Sequence, residues 1–129
     1  DEALVMNLWL QIQAINSQAG GLARVRDLMN HSAFTMSNPN KLRSLIGAFC
    51  NANLVNFHNP DGSGYAFLQE QVIALNNQNP QVAARLVTPL TRWKQFPEPN
   101  SGLMRKALQA IADEPGLVKD VLEIATKSL

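Results

Sequence analysis

Apolar residues recur at helical spacing along nearly the whole chain, and no stretch sustains the apolar-polar alternation of a half-buried strand. The pattern predicts seven helices. From about Glu2 to Ser17, Leu4, Leu8, Ile12 and Ile15 share one face, while Val5, Met6, Trp9 and Leu10 make the helix apolar almost all round. Gly20-Gly21 interrupts the chain before a second helix, Leu22 to about Asn30, with Leu22, Val25, Leu28 and Met29 inward. A third starts at Pro39, where Asn38 can cap the free amides and proline lacks the N–H that would go unused. Leu42, Leu45, Ile46 and Phe49 form its buried stripe.

After Phe49 the chain is expected to loosen through Asn51, Asn53 and Asn56 into the turn formers Asn59-Pro60-Asp61-Gly62-Ser63-Gly64. A fourth helix, Tyr65 to about Asn77, buries Phe67, Leu68, Val72 and Leu75. Asn79-Pro80 repeats the start signal for a fifth, which reaches about Gln95 with Val82, Leu86, Leu90 and Trp93 inward and a kink at Pro89. A sixth runs from about Gly102 to Asp113. The seventh starts at Pro115 and continues through Val118, Val121, Leu122 and Ala125. The boundary asparagines Asn38, Asn59, Asn79 and Asn100 are 21, 20 and 21 residues apart. One helix with its connection thus takes about 20 residues and a pair about 40, the period of stacked helical-pair repeats. The expected architecture is all-α, a right-handed α-solenoid of antiparallel helix pairs in the HEAT/ARM manner, forming a single helical domain over residues 1–129.

Composition narrows the function. With 129 residues and 46% hydrophobic content the chain can bury a core, and its formal charge of +1 lacks the basic excess of a nucleic-acid binder. No apolar run is long enough to span a membrane, because Asn7, Gln11 and Gln13 interrupt the most apolar one. Asp1-Glu2 is also the wrong start for a signal peptide. Neither nucleic acid nor membrane is therefore an expected partner. The chain begins without methionine and its first helix is apolar all round; both lead to the expectation of a piece of a longer helical domain, with helices preceding it. Such a fragment is expected to self-associate through residues 4–10.

Catalytic chemistry is sparse. His31 and His58 are the only histidines, and neither has a carboxylate at ligand spacing; the zinc-binding His-Glu-x-x-His pair is absent. Asp61-Gly-Ser-Gly lacks the ligand alternation and closing glutamate of a calcium loop. Cys50 is the single cysteine, and as a helical residue on the apolar side it reads as core. His58 reads as a partner for loop backbone, and Trp9 and Trp93 as core. Between Leu28 and Ala112, however, seven basic residues (Lys41, Arg43, Arg85, Arg92, Lys94, Arg105, Lys106) face three acidic ones (Asp61, Glu70, Glu98), a local +4. Gln81, Arg85, Thr88 and Arg92 form a polar stripe beside the buried side of the fifth helix. Arg43 and Arg85 each follow an Asn-Pro helix start, so parallel stacking of repeats would bring them to one rim. By pattern alone that stripe is either a solvated face or a binding rim.

Thr35-Met-Ser-Asn-Pro-Asn-Lys-Leu-Arg-Ser-Leu-Ile-Gly-Ala-Phe49, Phe57-His58, Asp61-Gly-Ser-Gly-Tyr65 and Asn79-Pro-Gln-Val-Ala-Ala-Arg-Leu86 resemble the C-terminal region of the bacterial aminopeptidase N family, zinc metallopeptidases of the gluzincin aminopeptidase group. Ala3 to Ala14 is similar to the same region. The likeness covers the whole chain, is most specific from Thr35 to Pro89 and weakens from Arg92 onward. The resemblance implies a non-catalytic helical domain, with no cofactor of its own, that closes over a separate zinc-bearing catalytic domain as its intramolecular partner. It further implies a chamber for a peptide substrate, faced by Arg43, Gln81 and Arg85 beyond the first residue, and a cytoplasmic bacterial location. The competing reading is a free-standing helical-repeat scaffold that binds another protein.

Overall fold

The computed structural model describes residues 2–129; the acidic Asp1 lies outside the described residues. All regular structure among them is helical, in the order α1 (Glu2–Ile15), α2 (Gly21–Met29), α3 (Pro39–Leu42), a π-helical stretch (Arg43–Gly47), α4 (Ala48–Ala52), α5 (Leu54–Phe57), α6 (Ser63–Leu75), α7 (Pro80–Leu86), a 3-10 helix (Thr88–Gln95), α8 (Asn100–Ala112) and α9 (Lys119–Ser128). The expected helices appear in order, joined by the short extra turn α5. The chain forms two compact units, the first ending at Phe57 and the second running from His58 to Leu129.

In the first unit, α1 packs on α2, α4 and the π-helical stretch. The third expected helix forms as read. Asn38 Oδ1 accepts from the amides of Asn40 and Lys41 at 3.0 and 3.3 Å, Pro39 opens the helix, and Leu42, Leu45, Ile46, Phe49 and Cys50 are buried. Within it the backbone loosens to π geometry between Arg43 and Gly47, and Asn51 Nδ2 donates to the Gly47 carbonyl at 2.8 Å. Phe49 and Phe57 meet edge to face with ring centroids 6.1 Å apart, both rings buried.

The inward residues of α1 are Leu10 and Ala14, whereas Leu4, Val5, Leu8, Ile12 and Ile15 are exposed, Val5 and Ile12 at 60 and 61%. A helix apolar all round carries no periodic signal of which side is covered; the partners on α2 and α4 select it. One expectation fails in this unit: the chain does not loosen after Phe49, because Asn53 and Asn56 are buried and clasp the α1–α2 connection. Asn53 Nδ2 donates to the carbonyls of Ala14 and Asn16, both at 2.9 Å, and Asn56 Nδ2 donates to those of Asn16 and Gln18. Asn53 Oδ1 caps α5 by accepting from the Asn56 amide at 3.1 Å. A side chain at Gly21 would place its Cβ 2.5 Å from Asn56 Nδ2, so glycine there makes room for the clasp.

The second unit is built on α6, whose Tyr65, Phe67, Leu68, Val72 and Leu75 are buried, packed against α7 and α8. The turn before it is tighter than the pattern suggested. Asn59 Oδ1 and Asp61 Oδ1 accept from the amides of Asp61 and Ser63, and Gly62 takes φ +79°, where a side chain would be strained; α6 therefore starts at Ser63 rather than Tyr65. Pro89 produces a change of helix type. It cannot donate to the preceding turn, and after Leu86 the chain tightens into the 3-10 helix. Of the expected inward residues there, Leu86 and Leu90 are buried, while Val82 and Trp93 are half-buried. Gly116 is left-handed at φ +78°, so Pro115 opens a turn and the last helix begins only at Lys119, with Leu122 exposed. Asn76 secures that turn, donating to the Gly116 carbonyl at 3.0 Å and accepting from the Val118 amide at 2.8 Å.

Candidate functional site

The Asn79-Pro80 start sets the position of the polar stripe. Asn79 Oδ1 accepts from the Val82 amide at 3.3 Å and Pro80 occupies the first helical position, which places Gln81 and Arg85 one turn apart. Ala83, Ala84, Leu86 and Val87 are buried, leaving Gln81, Arg85, Thr88 and Arg92 exposed. The stripe does not continue as one straight line. Each residue advances about 120° in a 3-10 helix against about 100° in an α-helix, and Arg92 departs from helical geometry at φ −93°, ψ 16°.

Gln81, Ala84 and Arg85 of α7 face Asp120, Glu123 and Ile124 of α9 across an open depression of about 360 Å³. One cation and two carboxylates line it together with the apolar Ala84 and Ile124. Glu123 Oε1 also pairs with Lys127 Nζ at 3.3 Å, and both side chains are mostly exposed, so that pair is weakly held and screened by salt. Such a surface can offer a guanidinium to a carbonyl or carboxylate and acidic oxygens to an amine. Arg43 belongs to the first unit, exposed at the start of the π-helical stretch, where its Nη1 donates to Asn40 Oδ1 at 3.0 Å. The structure thus joins Gln81 to Arg85 in the second unit. Asp120 and Glu123, 35 and 38 residues beyond Arg85, had no local sequence signal.

The remaining chemistry-bearing residues are held in structural roles. Cys50 is buried as expected, and burial pushes its thiol far above the ordinary range, so no thiolate is present near neutrality. Among the described residues no group of three or more His, Cys, Asp or Glu side chains is placed to hold a metal. Asp61 has its carboxyl pKa lowered by the hydrogen bonds from the Ser63 side chain and amide. His31 Nδ1 accepts from the Ala33 amide at 2.9 Å, with its ring 5.2 Å from that of Trp9, which is half-buried. His58 Nδ1 lies 2.7 Å from the buried Tyr65 hydroxyl, and its ring stacks on Phe96 at 4.5 Å. Trp93, read as core, instead lines an open groove of about 570 Å³ with Glu98, Ser101, Gly102, Arg105 and Lys106. Its indole N–H donates to the Ser128 carbonyl at 2.8 Å, and Lys94 and Arg105 each lie 5.4 Å from the ring centre.

A family model described as a domain of unknown function, DUF3458_C, with ARM repeats matches residues 1–129. The chain belongs to the DUF3458_C family. The ARM description agrees with the all-helical architecture and with the class of repeat that the asparagine spacing suggested. Similar proteins include aminopeptidase N of Escherichia coli K12, 48% identical over 126 residues that make up 98% of this chain and 14% of that protein. Aminopeptidase N of Caulobacter vibrioides is 41% identical over 128 residues, 99% of this chain and 15% of its own length. Among solved structures, Legionella pneumophila aminopeptidase A, in complex with aspartic acid, superposes with a TM-score of 0.93 at 31% identity, over 99% of this chain and 15% of that one. The resemblance to bacterial aminopeptidase N is therefore borne out. This DUF3458_C chain spans about one seventh of the length of the relatives it matches. No helix among its described residues is long and apolar enough to cross a membrane.

Proposed function

We propose that this chain is the non-catalytic C-terminal helical domain of a bacterial, cytoplasmic, zinc-dependent aminopeptidase that removes N-terminal residues from peptides. It encloses the substrate chamber and contacts the peptide beyond its first residue through Arg43, Gln81 and Arg85. The zinc belongs to a catalytic domain outside this chain, which lacks a His-Glu-x-x-His motif. The observation that carries the reading is the exposed Gln81–Arg85 pair, one turn apart over an open depression, in a chain similar throughout to aminopeptidase N. A guanidinium there can hold peptide carbonyls or a terminal carboxylate without taking part in bond cleavage.

In the full-length enzyme, Arg85→Ala is expected to lower kcat/KM for a tetrapeptide roughly tenfold, the equivalent of about 1.4 kcal/mol. Hydrolysis of a single-residue amide, too short to reach Arg85, should stay within about twofold of wild type. Equal losses on the two substrates would remove the argument.

The exposed apolar face of α1 carries a second expectation. In isolation the chain buries Leu4, Val5, Leu8 and Ile12 against another copy, since apolar area taken from water stabilises by about 25 cal/mol per Å². Sedimentation should show concentration-dependent association, abolished by Leu8→Glu with Ile12→Glu. A strictly monomeric wild-type chain at high concentration, with α1 ordered, is the contrary result. Leu10, inside the stretch the sequence marked for this contact, is fully buried and takes no part.

A further inference from the structure

The depression between α7 and α9 is bipolar. The first helix contributes Gln81 and Arg85 and the second Asp120 and Glu123, with Ala84 and Ile124 in the same lining. Its volume of about 360 Å³ falls at the small end of ligand clefts, enough for one residue of a peptide. Asp120 stands in the first turn of α9, and Glu123 and Ile124 follow it by three and four residues, so all three share a face. Among the described residues no ion pair joins Arg85 to either carboxylate. Opposite charges that line one small cleft without closing on each other leave room for a group carrying both. Glu123 already has Lys127 at 3.3 Å, which makes Asp120 the stronger acceptor for a cation from outside.

We propose that this depression selects peptides that end in lysine or arginine, Arg85 holding the terminal carboxylate and Asp120, with Glu123, holding the cationic side chain. The proposal rests on the reading that Arg85 contacts the peptide, and it states which peptides gain. A basic last residue is the one kind that carries an anion and a cation on a single unit. Its carboxylate matches the fork of a guanidinium, and its ammonium or guanidinium matches a carboxylate. The four-carbon stem of lysine can lie against Ala84 and Ile124 while both charged ends stay in water-accessible positions. Gln81, whose amide donates and accepts, is left for the preceding peptide group.

Charge then sets an order among last residues of similar length. Norleucine, the uncharged counterpart of lysine, leaves the acidic wall unused, and glutamate brings a further anion against it. Lysine therefore precedes norleucine, and norleucine precedes glutamate. The differences are modest, because Arg85, Asp120 and Glu123 are all exposed and such pairs are screened by salt. An aspartate in the first turn of a helix also suits the helix dipole. The role of Asp120 is accordingly read in selectivity between peptides, which a purely structural role would not move.

Steady-state kinetics of the full-length enzyme on three tetrapeptides, identical except for a last residue of lysine, norleucine or glutamate, test this. At low salt kcat/KM should fall in that order, lysine exceeding norleucine by about threefold to fivefold. Combining Asp120→Asn with Glu123→Gln should bring the lysine-to-norleucine ratio to one or below, since Lys127 is then released as well. A ratio near one in the wild type, or a wild-type ratio that survives in the double variant, overturns the proposal. Arg85→Ala keeps the two levels apart. If it weakens tetrapeptides more than a single-residue amide while the wild-type ratio is near one, only the preference for a basic end is wrong; equal losses on tetrapeptide and amide remove the peptide contact itself. Should the double variant fail to fold, salt decides on the wild type: a ratio that declines toward one by about 0.5 M salt supports the proposal, and a constant ratio refutes it.

Discussion

Phe49→Ala is expected to destabilise the protein by about 3–5 kcal/mol, the usual cost of emptying a fully buried phenylalanine site. Phe49 has no exposed surface, and it meets Phe57 edge to face. It sits in α4, immediately after the π-helical stretch, where α1 packs on both. Little can collapse into the space, because its neighbours are themselves fixed: Leu45 and Ile46 by burial, Phe57 by the adjoining Asn53–Asn56 clasp. Phe49→Leu keeps most of the volume and should cost nearer 1.5 kcal/mol. Denaturant titration of the three proteins checks the order. A cost below about 1 kcal/mol for the alanine variant would mean that the ring is not the packing centre described above.

Asn53→Ala follows at about 3 kcal/mol. The side chain is 2% exposed, holds the Ala14 and Asn16 carbonyls and caps α5 through the Asn56 amide. The Asn16 carbonyl keeps Asn56 and Arg24 as donors, but the Ala14 carbonyl and the Asn56 amide lose theirs, and each buried group left unsatisfied costs about 1–3 kcal/mol. Asn53→Asp separates donor from acceptor. It keeps the oxygen that caps α5 but turns a carboxylate toward two carbonyls, so at neutral pH it should be no more stable than the alanine variant and should recover on acidification as the carboxyl takes a proton. An aspartate variant close to wild type at neutral pH would show that the donations to Ala14 and Asn16 carry little energy.

What the sequence made legible is what is decided within one or two helical turns. Asn38-Pro39 and Asn79-Pro80 start helices because cap and first-turn amides are neighbours in the chain, and both starts stand where they were read. The same locality made Gln81 and Arg85 readable as a pair. Features decided by distant partners were not. Asn53 looked like loop because its acceptors are 37 and 39 residues away. The side of α1 that packs could not be chosen from its own residues, and Pro115 resembled a helix start until Gly116 took a left-handed turn. His58 shows the same limit, for Asn100, which donates to its carbonyl, is 42 residues away. The far wall of the depression at Arg85 comes from another helix.

The π-helical stretch has a consequence for how this segment tolerates insertion and deletion. A π turn holds about one residue more than the α turn it replaces, so relative to an uninterrupted α-helix everything after Gly47 is turned by about 100° about the axis. Removing one residue between Arg43 and Gly47 would restore regular α geometry, and the two rotations cancel, so Phe49 and Cys50 stay on the face they share with Leu42. The shorter helix keeps the fit. Chains that are one residue shorter here are therefore expected to keep the apolar positions of Ala48–Ala52 without a compensating change.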